Sequence, residues 1–255
     1  MVIKELFPEE YYHIYNRGNG KNKIFLDQQD YYHLIKLLFV YNSEINFKFR
    51  DAIVAQKIDA WDFDRGRPLV DVCSWVLMPN HFHILIISHR SDLWRNGRNP
   101  ISEYIRKVFT SYSMYFNKKY HRSGSLFEGK FKSKLIKEEN YFNYLFAYIH
   151  LNPVKLIQKD WKENGINDKN KAIEFLKKYN YSSFQDFLEI KRKENIIINI
   201  NSLPIHIRKA NSDDMFDWFE GGEKIKSAQF STGPTCGEYG YESESLKNPY
   251  LVRIF

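Results

Sequence analysis

Cysteine is scarce: Cys73 and Cys236 are the only two in 255 residues. Two thiols so far apart form neither a metal-ligand pair nor a disulfide framework, and this usage predicts a reducing, cytoplasmic setting. No uninterrupted apolar run approaches the roughly 20 residues that cross a bilayer, so no membrane partner is expected. The opening MVIKELFPEE mixes acids and a proline and predicts no signal peptide. Apolar residues, by contrast, make up 43% of the chain and aromatics 17%, enough to bury a core and to exclude a disordered chain. Acids are outnumbered, 31 against 38 Lys and Arg, for a net charge of +7. That shortage is local. Between Ile105 and Lys137 lie nine cations (Arg106, Lys107, Lys118, Lys119, Arg122, Lys130, Lys132, Lys134, Lys137) and one acid, Glu128, so nine minus one gives +8. A phosphate backbone and a solvated helix face are equally good explanations of such a run by itself.

Residues 11–17 (YYHIYNR) alternate and are rich in β-formers, predicting a first strand that stops at Gly18-Asn19-Gly20. Leu34, Leu37 and Leu38, following Asp27 as a cap, predict a helix over 27–41. The polar stretch 42–68 reads as a loop or inserted excursion. Two strand-like runs, 69–78 and 81–87, flank Pro79-Asn80 and suggest a hairpin. A second helix is predicted over 101–117 with Ser102 as its cap, followed by a basic loop, 118–134. The third, 138–151, begins with acids, as the helix dipole favours, and is limited by Pro153. A further helix is expected after Tyr181-Ser182-Ser183-Phe184, and 227–255 reads as a poorly ordered tail.

Chemistry concentrates in PNHFHILII, residues 79–87. Side chains two apart on a strand share a face, so His81 and His83 project together while Phe82 enters the core. Two imidazoles aimed at one point can begin a divalent-metal site. The bland alternative is a pair of hydrogen-bonded surface histidines, less favoured on so apolar a strand. On the third helix Tyr148 and Asn152 are four apart and share a face, as does Tyr144 one turn earlier. Core packing is the better reading for Tyr141 and Tyr144, and it would be the default for Tyr148 too if that spacing stood alone. Asn152 precedes Pro153, which disfavours the α region and predicts a distorted last turn.

Four stretches in order, YHIYNRG (12–18), WVLMPNHFHILI (75–86), RSGSLFEGKFKS (122–133) and YIHLNPVK (148–155), resemble the HUH single-strand DNA endonucleases, and within them the REP-associated tyrosine transposases. The resemblance covers roughly residues 10–185. It implies an α+β fold, with a central antiparallel sheet of ferredoxin-like or RRM-like topology and flanking helices. It also implies that His81 and His83, joined by Asn152, hold Mg²⁺ or Mn²⁺, and that Tyr148 is the nucleophile. Cleavage of single-stranded DNA, at hairpin-forming repeat ends, would leave a 5′-phosphotyrosine. Arg122, Lys130, Lys132 and Lys134 would hold backbone phosphates, and Phe127 and Phe131 either stack on bases or pack in the core. His13 and Arg17 on the first strand are further candidates to reach DNA, with His13 better read as a satisfied strand residue. A monomer acting in cis and a homodimer exchanging tyrosines both fit the resemblance.

The expected organisation is a catalytic domain over 1–190, a helical extension over 191–226 and the tail. The excursion at 42–68 is longer than compact members of the family need. Two other functions compete: a non-enzymatic nucleic-acid binder that kept the fold, and a metal-dependent phosphodiesterase using water. The second would need another histidine motif, which is absent.

Overall fold

The computed structural model describes residues 6–229. Its centre is a sheet of four antiparallel strands, β1 (Tyr11–Arg17), β2 (Asp71–Met78), β3 (His81–Ile87) and β4 (Lys132–Ile136), in the order β2-β3-β1-β4. Helix α1 (Gln28–Val40) joins β1 to β2, while α2 (Ser91–Arg95) and α3 (Pro100–Lys119) join β3 to β4. This βαββαβ path is the ferredoxin-like topology expected of the sequence. Helix α4 (Glu139–Leu151) follows β4. The short α5 (Trp161–Asn164), then α6 (Lys169–Lys178), α7 (Phe184–Phe187), α8 (Ile205–Arg208) and α9 (Ser212–Gln229), complete the described chain. The tail expected over 227–255 lies outside the described residues from 230 onward.

The two faces of the sheet follow the period of two. Tyr12, Ile14, Trp75, Leu77, Phe82, Ile84 and Ile86 face α1 and α3, packing with Leu34, Leu38, Tyr104, Ile105 and Val108. Val76, Met78, Leu85, Ile87 and Ile136 turn the other way, onto Phe142, Leu145, Phe146 and Ile149 of α4. Helix α9 covers α4 and buries Met215, Phe216 and Phe219 against it, so the segment after 190 shares this second core. One sheet edge is covered where the Leu77 N–H donates to the Tyr181 carbonyl at 2.8 Å. β4 is the other edge, short and carrying Lys132 and Lys134, a common way to blunt an edge.

Local chemistry explains the helix starts. Asp27 accepts from the Asp30 N–H and Asp30 accepts from the Asp27 N–H, a capping box for α1. Helix α3 is capped by Asn99 rather than Ser102: the Asn99 Oδ1 accepts from the Ser102 N–H at 2.9 Å, and Pro100 occupies the first turn, where its missing N–H costs nothing. The expected loop over 118–134 also needs correction, because α3 runs through Lys119 and β4 begins at Lys132. Phe127 is 7% exposed and packs edge-on against Phe82 and Phe109, and Phe131 packs on the same core, so of the two expectations core packing holds. The excursion after Val40 contains short turns at Arg50–Val54 and Ala60–Asp62. Its root is tied by Asn42, whose Oδ1 accepts from the Leu69 and Val70 N–H groups.

Candidate active site

β3 hydrogen-bonds to β1 with Arg17 opposite His81 and Tyr15 opposite His83. Both histidines therefore face the α4 side, with ring centroids 5.2 Å apart. His81 Nδ1 lies 2.7 Å from Asn80 Oδ1, and His83 Nδ1 lies 2.8 Å from His13 Nε2. His83 is buried, and its Nε2 has no hydrogen-bond partner. Burial pushes the His81 pKa down to about 4; the Asn152 amide opposes the shift, and the Lys155 and Lys162 cations add to it. His83 is driven well below the usual imidazole range, first by burial and then by His13, His81 and Lys162. Both rings are neutral at pH 7, the form that offers a lone pair.

Helix α4 delivers the remaining groups because Tyr148 and Asn152 share a face one turn apart. The Tyr148 ring meets His83 edge-on, at 5.3 Å between centroids. Asn152 keeps α-helical angles (φ −52°, ψ −39°) despite Pro153; the expected distortion is a tightening of the chain into a 3₁₀ turn over Asn152–Leu156. Its amide lies against His81, yet its buried Oδ1 makes no hydrogen bond of accepted geometry. Tyr144 is 4% exposed and stacks between Tyr148 and Phe219, in keeping with the core role expected of it. Tyr148 is half-buried, between Tyr144 and Trp161, with Lys162 Nζ 4.0 Å above its ring.

Cations flank this face. Lys132 and Lys134 sit opposite Tyr15 and His13 on β4, so they share the histidines' side of the sheet. Lys134 caps the Tyr141 ring at 3.9 Å. Arg122 and Lys130 are exposed on the approach to β4. Arg17, at the end of β1, is paired with Glu128. The run of nine cations is less uniform than its sequence implies. Lys107 is buried, bonded to Glu103 and to the carbonyls of Ser43 and Ile45, and Lys119 is held by Asp27 and Asp30. Both are structural.

Among the described residues no group of three or more His, Cys, Asp or Glu is placed to hold a metal. The set gathered here is different: two imidazoles and one amide oxygen. The buried, unpartnered His83 Nε2 and Asn152 Oδ1 are the two atoms a cation would satisfy. That donor set fits a divalent ion. Two further residues stand at this site: Lys162, and His13, expected as a satisfied strand residue and here bonded to His83. Lys162 arrives from the separate helix α5 and has no local signal. His13 has one, its place two before Tyr15 on an alternating strand, but its partner depends on register.

No family model matches the chain, and no curated protein matches it. Among solved structures it is similar to a REP-associated tyrosine transposase bound to a REP hairpin, at 12% identity and a TM-score of 0.45, covering 76% of this chain and 89% of that one. The chemistry of the site therefore rests on its own geometry.

Proposed function

We propose that this protein cuts and rejoins single-stranded DNA with Tyr148 as nucleophile. The observation that carries the reading is the meeting of His83, Asn152 and Tyr148 at one place, where two buried polar atoms lack partners and a phenol stands beside them. The four ordered motifs, with their resemblance to tyrosine transposases, support the same reading. His81 Nε2, His83 Nε2 and Asn152 Oδ1 would hold Mg²⁺ or Mn²⁺, which when bound would polarise a phosphate and offset its developing charge. Tyr148 Oη would form a bond to phosphorus as the bond to the 3′ oxygen breaks. The phenol loses its proton to water and the 3′ oxygen gains one, leaving a 3′-OH and a 5′-phosphotyrosine. Lys162, above the Tyr148 ring, would present its positive charge to the approaching phosphate. Arg122, Lys130, Lys132 and Lys134 would hold the backbone on either side. Hairpin-forming repeat ends are the proposed substrates, from the resemblance alone.

The test is an adduct. Wild-type protein incubated with single-stranded DNA and Mn²⁺ should form a complex that survives boiling in detergent and carries the downstream fragment through its 5′ phosphate. Tyr148→Phe removes one oxygen and should abolish both adduct and cleavage, while Tyr144→Phe stays active. Cutting by Tyr148→Phe but not by Tyr144→Phe would move the nucleophile one turn. Cutting by both without an adduct would make water the nucleophile, and binding without cutting would leave a nucleic-acid binder.

A further inference from the structure

We infer that His13 and Asn80 are positioning residues that fix the tautomers of the two imidazoles, so that both offer Nε2 to the same point. The inference rests on the reading of His81 and His83 as metal ligands, and adds residues that act only through them.

A nitrogen-to-nitrogen bond between imidazoles contains one hydrogen, so at 2.8 Å either His83 or His13 is the donor. If His13 donates, the His83 proton sits on Nε2, a buried atom with no acceptor. When His83 Nδ1–H donates to His13 Nε2, the His83 Nε2 carries a lone pair instead, and only this arrangement can bind a cation. A group bonded to the far nitrogen of a metal-binding histidine sets the ligand in this way. β-sheet register makes the contact possible. His13 pairs with Leu85 and stands diagonal to His83, with the rings 5.0 Å apart and 25° from parallel. The Tyr15 ring lies beside both, 4.7 Å from His13 and 6.0 Å from His83, so the three rings pack as one cluster.

His81 is served similarly by a different group. Its Nδ1 lies 2.7 Å from Asn80 Oδ1, which can only accept. The orientation of that amide is itself fixed, because Asn80 Nδ2 donates to the Lys21 carbonyl at 3.2 Å. His81 thus carries its hydrogen on Nδ1 and its lone pair on Nε2. Two imidazoles on one strand, each with Nδ1 engaged by a neighbour outside the donor set, converge through Nε2.

Long-range proton–nitrogen NMR on ¹⁵N-labelled, metal-free protein reads each histidine's tautomer, and titration with Mn²⁺ reads affinity without any cleavage step. His81 and His83 should both be Nδ1–H in the wild type. His13→Phe keeps an aromatic ring but has no acceptor; it should shift His83 toward Nε2–H, leave His81 unchanged and weaken Mn²⁺ binding about 10- to 100-fold. Asn80→Leu should do the converse, and Asn80→Asp, which keeps an acceptor, should restore the wild-type tautomer. A wild-type His83 found as Nε2–H overturns the inference even if His13→Phe fails to fold. So does a His13→Phe protein with unchanged tautomer and affinity while His83→Ala loses Mn²⁺. Mn²⁺ affinity unaffected by His83→Ala would overturn the metal reading, and this one with it.

Discussion

Gly222 on α9 meets Tyr144 on α4 so closely that a β-carbon added there would stand 2.2, 2.5 and 2.7 Å from Tyr144 Cδ2, Cγ and Cβ. Its neighbour Gly221 has nothing within 4 Å of the same position. The pair separates two effects of one substitution. Alanine in a helix gains roughly 0.5–1 kcal/mol over glycine, so Gly221→Ala should stabilise by about that amount. Gly222→Ala gains the same propensity and then meets a fully packed ring, an overpacking cost of about 1–3 kcal/mol. The two variants should therefore differ by the clash alone. At about 2–4 °C per kcal/mol for a chain of this size, their melting temperatures should part by roughly 2–12 °C, with Gly222→Ala the lower. Differential scanning calorimetry measures the gap. Tyr144 also stacks on Tyr148, at 6.1 Å, so displacing it should slow DNA cleavage by Gly222→Ala more than by Gly221→Ala. Equal melting temperatures, or a more stable Gly222→Ala, would refute the close packing of α9 on α4.

His81→Ala or His83→Ala should abolish cleavage while DNA binding, measured by fluorescence anisotropy, persists; full cleavage by either variant would remove them from the site. Neutralising Lys130, Lys132 and Lys134 together should lower the slope of log affinity against log salt by roughly 0.7 for each phosphate no longer held, and an unchanged slope would make the run a solvated surface. Burial pushes buried His150 from its ordinary 6.5 to about 3, with the Phe146 carbonyl opposing and Arg192 adding to the shift. The unfolded chain binds this proton first, so the stability it contributes is complete above pH 6.5 and lost as pH falls toward 3. The stability gap between wild type and His150→Leu should shrink by up to about 1.4 kcal/mol per pH unit below roughly 6.5, and a pH-independent gap from denaturant titrations would contradict it.

Three of the four strands were legible because each carries its own signal. β1 alternates, and β2 and β3 are apolar runs divided by Pro79-Asn80. β4 was hidden by its position. As a short edge strand it keeps Lys132 and Lys134 on one face and half-buries Ser133 and Leu135 on the other, so its alternation merged with the basic residues before it. At the site, the shared face of His81 and His83 follows from a period of two, and the Tyr148–Asn152 relation from helical spacing. Both are short-range rules. The contact of His13 with His83 spans 70 residues and depends on the register of β1 against β3, which neither strand specifies alone. The same limit explains the charge count, since Lys107 and Lys119 are cations in sequence but are committed to partners from distant loops and helices in the fold.

Charge and burial act together on this face. A cluster of cations beside histidines has two consequences that are separate in sequence and joined in structure. Lys162 and Lys155 disfavour a positive charge on His81, and Lys162 does the same at His83, each in the direction that burial already sets. The imidazoles are thereby kept neutral in the pH range where a phosphodiester is fully charged. In the proposed reaction those same lysines would present positive charge to an incoming phosphate, and Lys162 would do so above the phenol proposed to attack it. A carboxylate in place of Asn152 would attract a cation more strongly, but it would raise the imidazole pKa values and repel the substrate. An uncharged amide oxygen beside neutral rings, rimmed by lysines, avoids both effects, as the proposed pairing of a divalent cation with a phosphate would require.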